Sequence, residues 1–144
     1  MAHILRARQF AARALLVTKK WKAMCKRILI VDDNELIVEV MSYILIGSGY
    51  EVSSLTNGDH VVEEVLATQP DLLIIDAKMP GMDGREICRF LKNNELTMKT
   101  PVIICSADDN LDTALKEDGA PNDILHKPFD INALIDKVEV QLAA

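Results

Sequence analysis

Five residues of this 144-residue chain are of types that can do chemistry together: the carboxylates Asp32, Asp33 and Asp76, the hydroxyl of Ser106 and the ammonium of Lys127. Each stands at the end of a short apolar run. Arg27-Ile28-Leu29-Ile30-Val31 leads into Asp32-Asp33, and Leu72-Leu73-Ile74-Ile75 into Asp76. Pro101-Val102-Ile103-Ile104-Cys105 leads into Ser106, and Ile124-Leu125-His126 into Lys127-Pro128. Runs of branched apolar residues bounded by turn signals read as strands buried on both faces, the habit of parallel sheets. In open α/β sheets the carboxyl ends of the strands carry the ligand sites. The sequence therefore brings three carboxylates, a hydroxyl and an ammonium to one edge of one sheet.

Carboxylates crowded into a small cleft raise one another's pKa and require a counter-ion. Their hard oxygen atoms suit Mg²⁺, with Mn²⁺ as an alternative. With that charge screened, one carboxylate is free to attack phosphorus and form an acyl phosphate. A transferring phosphoryl group spreads negative charge over its equatorial oxygens and needs fixed cationic and hydrogen-bonding partners. Lys127 supplies a point charge and Ser106 a hydroxyl. A cis peptide between Lys127 and Pro128 would turn the lysine inward.

The elements that must position these residues alternate regularly. A strand over 27–32 precedes a helix near Glu35–Gly47, where Leu36, Val40 and Ile44 recur at helical spacing. Gly47-Ser48-Gly49 ends that helix, and 50–54 is a short second strand. Asn57-Gly58-Asp59 starts a helix running to about Thr68, with Val61, Val62, Val65 and Leu66 as its inner face. After Pro70 come the strand at 72–75 and a helix over about Arg85–Asn93 that buries Ile87, Cys88 and Leu91. The strand at 102–105, a weak helix near Asn110–Lys116, the strand at 124–126 and a helix near Ile131–Leu142 complete the order. Five strands alternating with five helices predict an α/β fold, a flavodoxin-like (βα)5 doubly wound parallel sheet with right-handed crossovers. Its strand order 2-1-3-4-5 places Asp32, Asp33 and Asp76 at the switch point.

Composition agrees with one soluble domain. The chain is 49% apolar and 26% charged, a balance that excludes a disordered segment. No run reaches the roughly 20 apolar residues that span a bilayer. Three cysteines, Cys25, Cys88 and Cys105, have neither paired nor metal-like spacing and are expected to be reduced, in a cytoplasmic protein. Residues 1–23 carry six of the 16 basic residues and none of the 22 acidic ones, so the remainder, with ten basic residues, has a formal charge of −12. A domain so acidic is not a nucleic-acid binder by bulk electrostatics; it suits a metal cation and basic partner surfaces.

From about Lys26 to the C-terminus the chain resembles the receiver domain of two-component response regulators. The resemblance rests on Ile28-Leu29-Ile30-Val31-Asp32-Asp33-Asn34-Glu35, on Asp76 with Met79-Pro80-Gly81-Met82-Asp83-Gly84, on Ser106-Ala107 and on Lys127-Pro128-Phe129. It implies that Asp76 accepts phosphate from the phosphohistidine of a histidine kinase or a histidine phosphotransfer protein. It further implies that Asp33 and Asp76 bind Mg²⁺ directly, Asp32 through water, and Lys78 through its backbone carbonyl. Lys127 would contact one phosphoryl oxygen and Ser106 would turn to bond another.

Taken one at a time, these residues also have ordinary roles. An Asp-Asp pair after a strand usually caps a helix, Ser106 can cap the element that follows it, and Asp83-Gly84 reads as turn chemistry outside the site. Four strand ends agreeing together favour the site. His126 and the other two histidines join no metal or catalytic grouping. Two departures from the family pattern touch the reporting surface. Ile124 stands three before Lys127, where receivers often carry Tyr or Phe, and the stretch from Ser106 to Gly119 is about two residues short. The output step is therefore expected to work without an aromatic rotation.

Residues 1–23 form a basic extension ahead of a receiver domain at 24–144. The extension has a partial apolar stripe (Phe10, Ala14, Val17, Trp21) and a composition superficially like a transit peptide. Translation from Met24 is the plainer expectation. A chain closing just after its last helix is expected to be a stand-alone regulator or phosphorelay component with an unknown downstream protein target. The rival from another class is an aspartyl-phosphate hydrolase of the haloacid-dehalogenase type. That chemistry needs an acid/base aspartate two residues after the nucleophile, where this chain has Lys78.

Overall fold

The computed structural model describes residues 6–9, 25–108 and 117–143. The expected helix near Asn110–Lys116 and most of the N-terminal extension lie outside the described residues.

Five parallel strands form the central sheet: β1 (Arg27–Val31), β2 (Glu51–Leu55), β3 (Leu72–Asp76), β6 (Val102–Ser106) and β7 (Asp123–His126). Their spatial order is β2-β1-β3-β6-β7, the doubly wound order that the sequence predicts. Among the described residues, the helices that pack with the sheet are α1 (Glu35–Gly47), α2 (Val61–Thr68), α3 (Gly84–Lys92) and α4 (Ile131–Leu142). Between β3 and α3 a small antiparallel hairpin, β4 (Lys78–Met79) with β5 (Met82–Asp83), turns through Pro80-Gly81. The sequence reading did not anticipate this hairpin.

The apolar runs explain why the sheet is covered on both sides. Side chains alternate across a strand, so each central strand feeds two cores. Leu29, Val31, Leu73, Ile75, Val102 and Ile104 pack with Val61 and Val65 of α2 and with Ile87, Cys88 and Leu91 of α3. Ile28, Ile30, Leu72, Ile74, Ile103 and Cys105 pack on the other face against Val38, Met41 and Leu45 of α1 and Leu134 and Val138 of α4. Only the edge strand β2 is largely exposed.

One helix reading needs correction, and one helix face is decided by packing. In α1, of the three residues at helical spacing only Ile44 packs partly against the core. Leu36 is 68% exposed and Val40 43% exposed, while Val38, Met41 and Leu45 face the sheet. In α2 the helix begins at Val61 rather than at Asn57-Gly58-Asp59, and Leu66 points outward. Asn57 instead holds the preceding turn, its Oδ1 accepting from the Asp59 N–H at 3.2 Å.

Candidate functional site

Register decides which residues meet at the sheet's carboxyl edge. Val31 is level with Ile75, Asp76 with Cys105, and Ser106 with His126. The next residues along, Asp32 after β1 and Lys127 after β7, therefore flank Asp76 and Ser106 at one end of the sheet. An Asp32 N–H bond to the Leu55 carbonyl (3.2 Å) and a Lys127 N–H bond to the Ser106 carbonyl (2.8 Å) extend the ladder to both. The Lys127–Pro128 peptide is cis.

The cap of α1 removes the ordinary explanation for the Asp32-Asp33 pair. Asn34 is the N-cap, its Oδ1 accepting from the Leu36 and Ile37 N–H groups. Asp32 instead turns inward. Its Oδ1 accepts from the Asn34 N–H at 2.9 Å, and its Oδ2 accepts from Lys127 Nζ at 2.9 Å. Lys127 Nζ also lies 3.4 Å from Asp76 Oδ1. The ion pairs are shielded, with 3% of the Asp32 side chain, 11% of Asp76 and 18% of Lys127 exposed.

Carboxylate oxygens of Asp32, Asp33 and Asp76 all lie within 4.8 Å of one another. Asp33 is exposed at the mouth while Asp32 is buried. Burial pushes the Asp76 carboxyl above its ordinary pKa; Lys127 pulls it back, Asp32 adds to the rise, and a backbone hydrogen bond from Lys78 opposes it. Burial also pulls the Lys127 ammonium down, but the hydrogen bond and charge of Asp32, with the charge of Asp76, outweigh it and leave the pKa raised. Lys127 thus touches two of the three carboxylates but supplies a single positive charge, which leaves the ionised cluster two negative charges in excess. The donor set, all hard oxygen atoms, fits a small divalent cation.

Ser106, the last residue of β6, is buried, its Oγ accepting from the Asp108 N–H at 2.9 Å. Asp76, Ala77, Lys78, Ser106, Ala107 and Asp108 line a cleft of about 260 Å³, so Asp76 is buried yet reachable. Of the predicted residues, Asp32, Asp33, Asp76 and Lys127 come together directly and Ser106 shares the cleft with Asp76. Lys78 also lines it, and its side chain is turned to solvent.

Ile124 lies away from this cleft. It is 2% exposed and packs in the core beneath α2 and α3. Its replacement by alanine would open a core cavity, at a cost of about 2–5 kcal/mol, rather than act selectively on partner binding. The sequence reading also set aside Asp83-Gly84 as turn chemistry. Asp83 does cap α3, accepting from the Arg85 N–H at 2.9 Å, but Gly84 lies directly against the backbone of Asp76. The signal for it was a glycine at the first position of a helix, where few helices need one.

The comparisons with known proteins agree with this geometry. Residues 28–139 match the family described as the response regulator receiver domain. The chain belongs to that family. The alkaline phosphatase synthesis transcriptional regulatory protein PhoP of Bacillus subtilis is 34% identical over 116 residues, covering 78% of this chain and 48% of PhoP. The DNA-binding response regulator MtrA of Mycobacterium tuberculosis is 30% identical over 120 residues, 83% of this chain and 51% of MtrA. The chain spans about half the length of these curated relatives. Among solved structures, a putative response regulator from Chloroflexus aurantiacus superposes with a TM-score of 0.76 at 30% identity, covering 83% of this chain and 99% of that one. The signal receiver domain of a histidine kinase from Syntrophus aciditrophicus gives 0.75 at 32% identity, over 83% and 91% of the two chains.

No helix among the described residues is long and apolar enough to cross a membrane. Cys25, Cys88 and Cys105 are free thiols, and burial pushes the last two up to about 11 and about 12.

Proposed function

We propose that this receiver accepts a phosphoryl group on Asp76 from the phosphohistidine of a histidine kinase or histidine phosphotransfer protein. The acylated state then changes the binding of a downstream protein or passes the phosphate onward. One observation carries the reading: a single carboxylate, Asp76, stands at once beside the lysine, beside two further carboxylates and in a cleft shared with a buried hydroxyl. A carboxylate oxygen of Asp76 attacks phosphorus in line, the P–N bond to the donor imidazole breaks, and the imidazole leaves with that electron pair. Lys127, already 3.4 Å from the acceptor, neutralises a phosphoryl oxygen, and the Ser106 hydroxyl donates to another.

Asp33 and Asp76 would ligate Mg²⁺ directly, with the Lys78 carbonyl as a third protein ligand and Asp32 acting through water. When bound, the ion supplies the charge neutralisation that brings an anionic phosphoryl group up to a carboxylate cluster. The three free cysteines support a reducing, cytoplasmic setting. The acidic domain supports protein partners rather than nucleic acid. On this reading the protein turns over no separate substrate and catalyses only its own phosphorylation and slow dephosphorylation.

The acceptor assignment has a direct test. Asp76→Asn keeps the shape of the site and removes the nucleophile, so labelling by acetyl phosphate or by a phosphorylated kinase is expected to vanish. Labelling at the wild-type level in Asp76→Asn would move the acceptor elsewhere. Multiple turnovers of a phosphomonoester by the wild-type protein would favour a hydrolase instead.

A further inference from the structure

The backbone that leaves the acceptor is pressed from two sides, at two glycines. Gly84 opens α3 and is buried. A Cβ placed on it would lie 2.2 Å from the Asp76 carbonyl oxygen, 3.0 Å from the Asp76 carbonyl carbon and 3.2 Å from Ala77 Cα. The Gly84 N–H donates to the Ala77 carbonyl at 2.9 Å, so the first turn of the helix sits directly on the acceptor's peptide. Gly58, buried between β2 and α2, meets the far end of the same segment. A Cβ there would fall 1.7 Å from Met82 Sδ and 2.9 Å from its Cγ. Met82 is paired with Met79 across the hairpin, and Asp83 with Lys78.

Not every glycine in the chain is of this kind. Added Cβ atoms at Gly47, Gly49 and Gly81 would meet nothing within 4 Å. Two of the six glycines thus converge on one nine-residue stretch, Asp76 to Gly84. That stretch starts with the proposed acceptor and includes Lys78, which lines the same cleft as Asp76. Neither glycine touches the carboxylate, so any action is through the backbone.

We propose that Gly84 and Gly58 are positioning residues for phosphoryl acceptance: by lacking side chains they let α3 and the β2–α2 turn close on the Asp76–Gly84 segment and fix the acceptor and Lys78. The proposal rests on Asp76 being the acceptor. The two glycines differ in what they oppose. At Gly84 the obstacle is backbone, which cannot rotate away, so a methyl group must shift either the helix or the Asp76 peptide. At Gly58 the obstacle is the flexible end of a methionine, so removing that end removes the obstacle.

The test uses the full chain and the substitutions Gly84→Ala, Gly58→Ala, Met82→Ala, Gly58→Ala combined with Met82→Ala, and Gly47→Ala as a control. Labelling by acetyl phosphate at saturating Mg²⁺ is expected to fall about tenfold or more per folded molecule in Gly84→Ala, since small displacements of reacting groups cost rate steeply. Gly58→Ala should lose about threefold or more by the same argument, and Met82→Ala should restore it to the rate of the Met82→Ala protein alone. Gly47→Ala should label like wild type. Amide NMR shifts of the metal-free proteins should move at Asp76, Ala77 and Lys78 in Gly84→Ala. Wild-type labelling by both glycine variants overturns the proposal, as do shifts in Gly84→Ala confined to α3. If Gly84→Ala does not fold, the Gly58 rescue decides alone, and its failure overturns the proposal. Absence of label on the wild-type protein would instead remove the acceptor reading, while the metal-free shifts would still report on positioning.

Discussion

The carboxyl edge of the sheet and the helix α1 reverse the usual rule about where residue types go. At the sheet edge, charged groups are buried: Asp32 and Asp76 are 2% and 8% exposed. On α1, large apolar side chains face solvent: Leu36, Tyr43 and Ile46 are 68%, 83% and 57% exposed. The difference lies in what fixes each side chain's direction. A strand covered on both faces has no choice of side, and its end point is set by register with two neighbours. The helix reading Glu-Leu-Ile-Val-Glu-Val-Met-Ser-Tyr-Ile-Leu-Ile-Gly is apolar almost all round, so several rows of residues satisfy the helical period and only the sheet selects among them.

The largest effect that follows is a contrast within α1. Met41 is 1% exposed and packed against β-strand residues, so Met41→Ala should cost about 2–5 kcal/mol. Leu36→Ala, one row away, should stay within about 0.5 kcal/mol. Urea unfolding with unchanged m-values would measure both. Equal losses at the two positions would mean that the outer row is buried in solution, and the comparison would fail.

This contrast also explains what was legible in the residue order. The five strands, their order and the end-of-strand placement of Asp32, Asp33, Asp76, Ser106 and Lys127 followed from short branched runs such as Leu72–Ile75, where periodicity has nothing to decide. The inner row of α1 was not legible because Leu36-Val40-Ile44 and Val38-Met41-Leu45 are both apolar rows that satisfy the helical period. The start of α2 was misread because Asn57 and Asp59 are good capping types, yet Asn57 spends its side chain on the turn itself. The hairpin from Lys78 to Asp83 is two residues per strand, too short for alternation to be seen. Gly84 was missed for another reason: its importance lies in what it adjoins in space, the Asp76 carbonyl, and no local pattern encodes that contact.

A second contrast sharpens the description of the edge itself. Asp33 and Asp32 are adjacent carboxylates with different surroundings, one at the mouth and one held by Lys127. If Asp33 ligates Mg²⁺ directly and Asp32 through water, Asp33→Ala should weaken Mg²⁺ binding further than Asp32→Ala, whose loss should fall in the roughly 10–100-fold range of outer ligand partners. Removing Asp32 also leaves Lys127 with Asp76 as its remaining carboxylate partner in the cluster, which competes with the cation and adds to the loss. Calorimetry or NMR titration would give both affinities. Wild-type affinity in Asp33→Ala would refute its role as a ligand.

The smallest expected effect concerns the mouth of the cleft. Lys78 is exposed two residues after Asp76, the proposed acceptor, and Asp108, two after Ser106, lines the same 260 Å³ cleft. Drawn together over the acyl phosphate, the two side chains would hinder the in-line approach of water. Exposed ion pairs are worth only about 0.2–1 kcal/mol, and about 1.4 kcal/mol in a barrier is tenfold in rate. Shielding of this kind therefore predicts a several-fold effect at most. Lys78→Ala should speed autodephosphorylation by that amount, and adding Asp108→Ala should contribute less than its separate effect, because the pair is already broken. The decay of the phosphorylated protein after removal of the donor measures both. Decay of Lys78→Ala at the wild-type rate would leave Lys78 as a solvent-facing lysine whose contribution to the site is through its backbone alone.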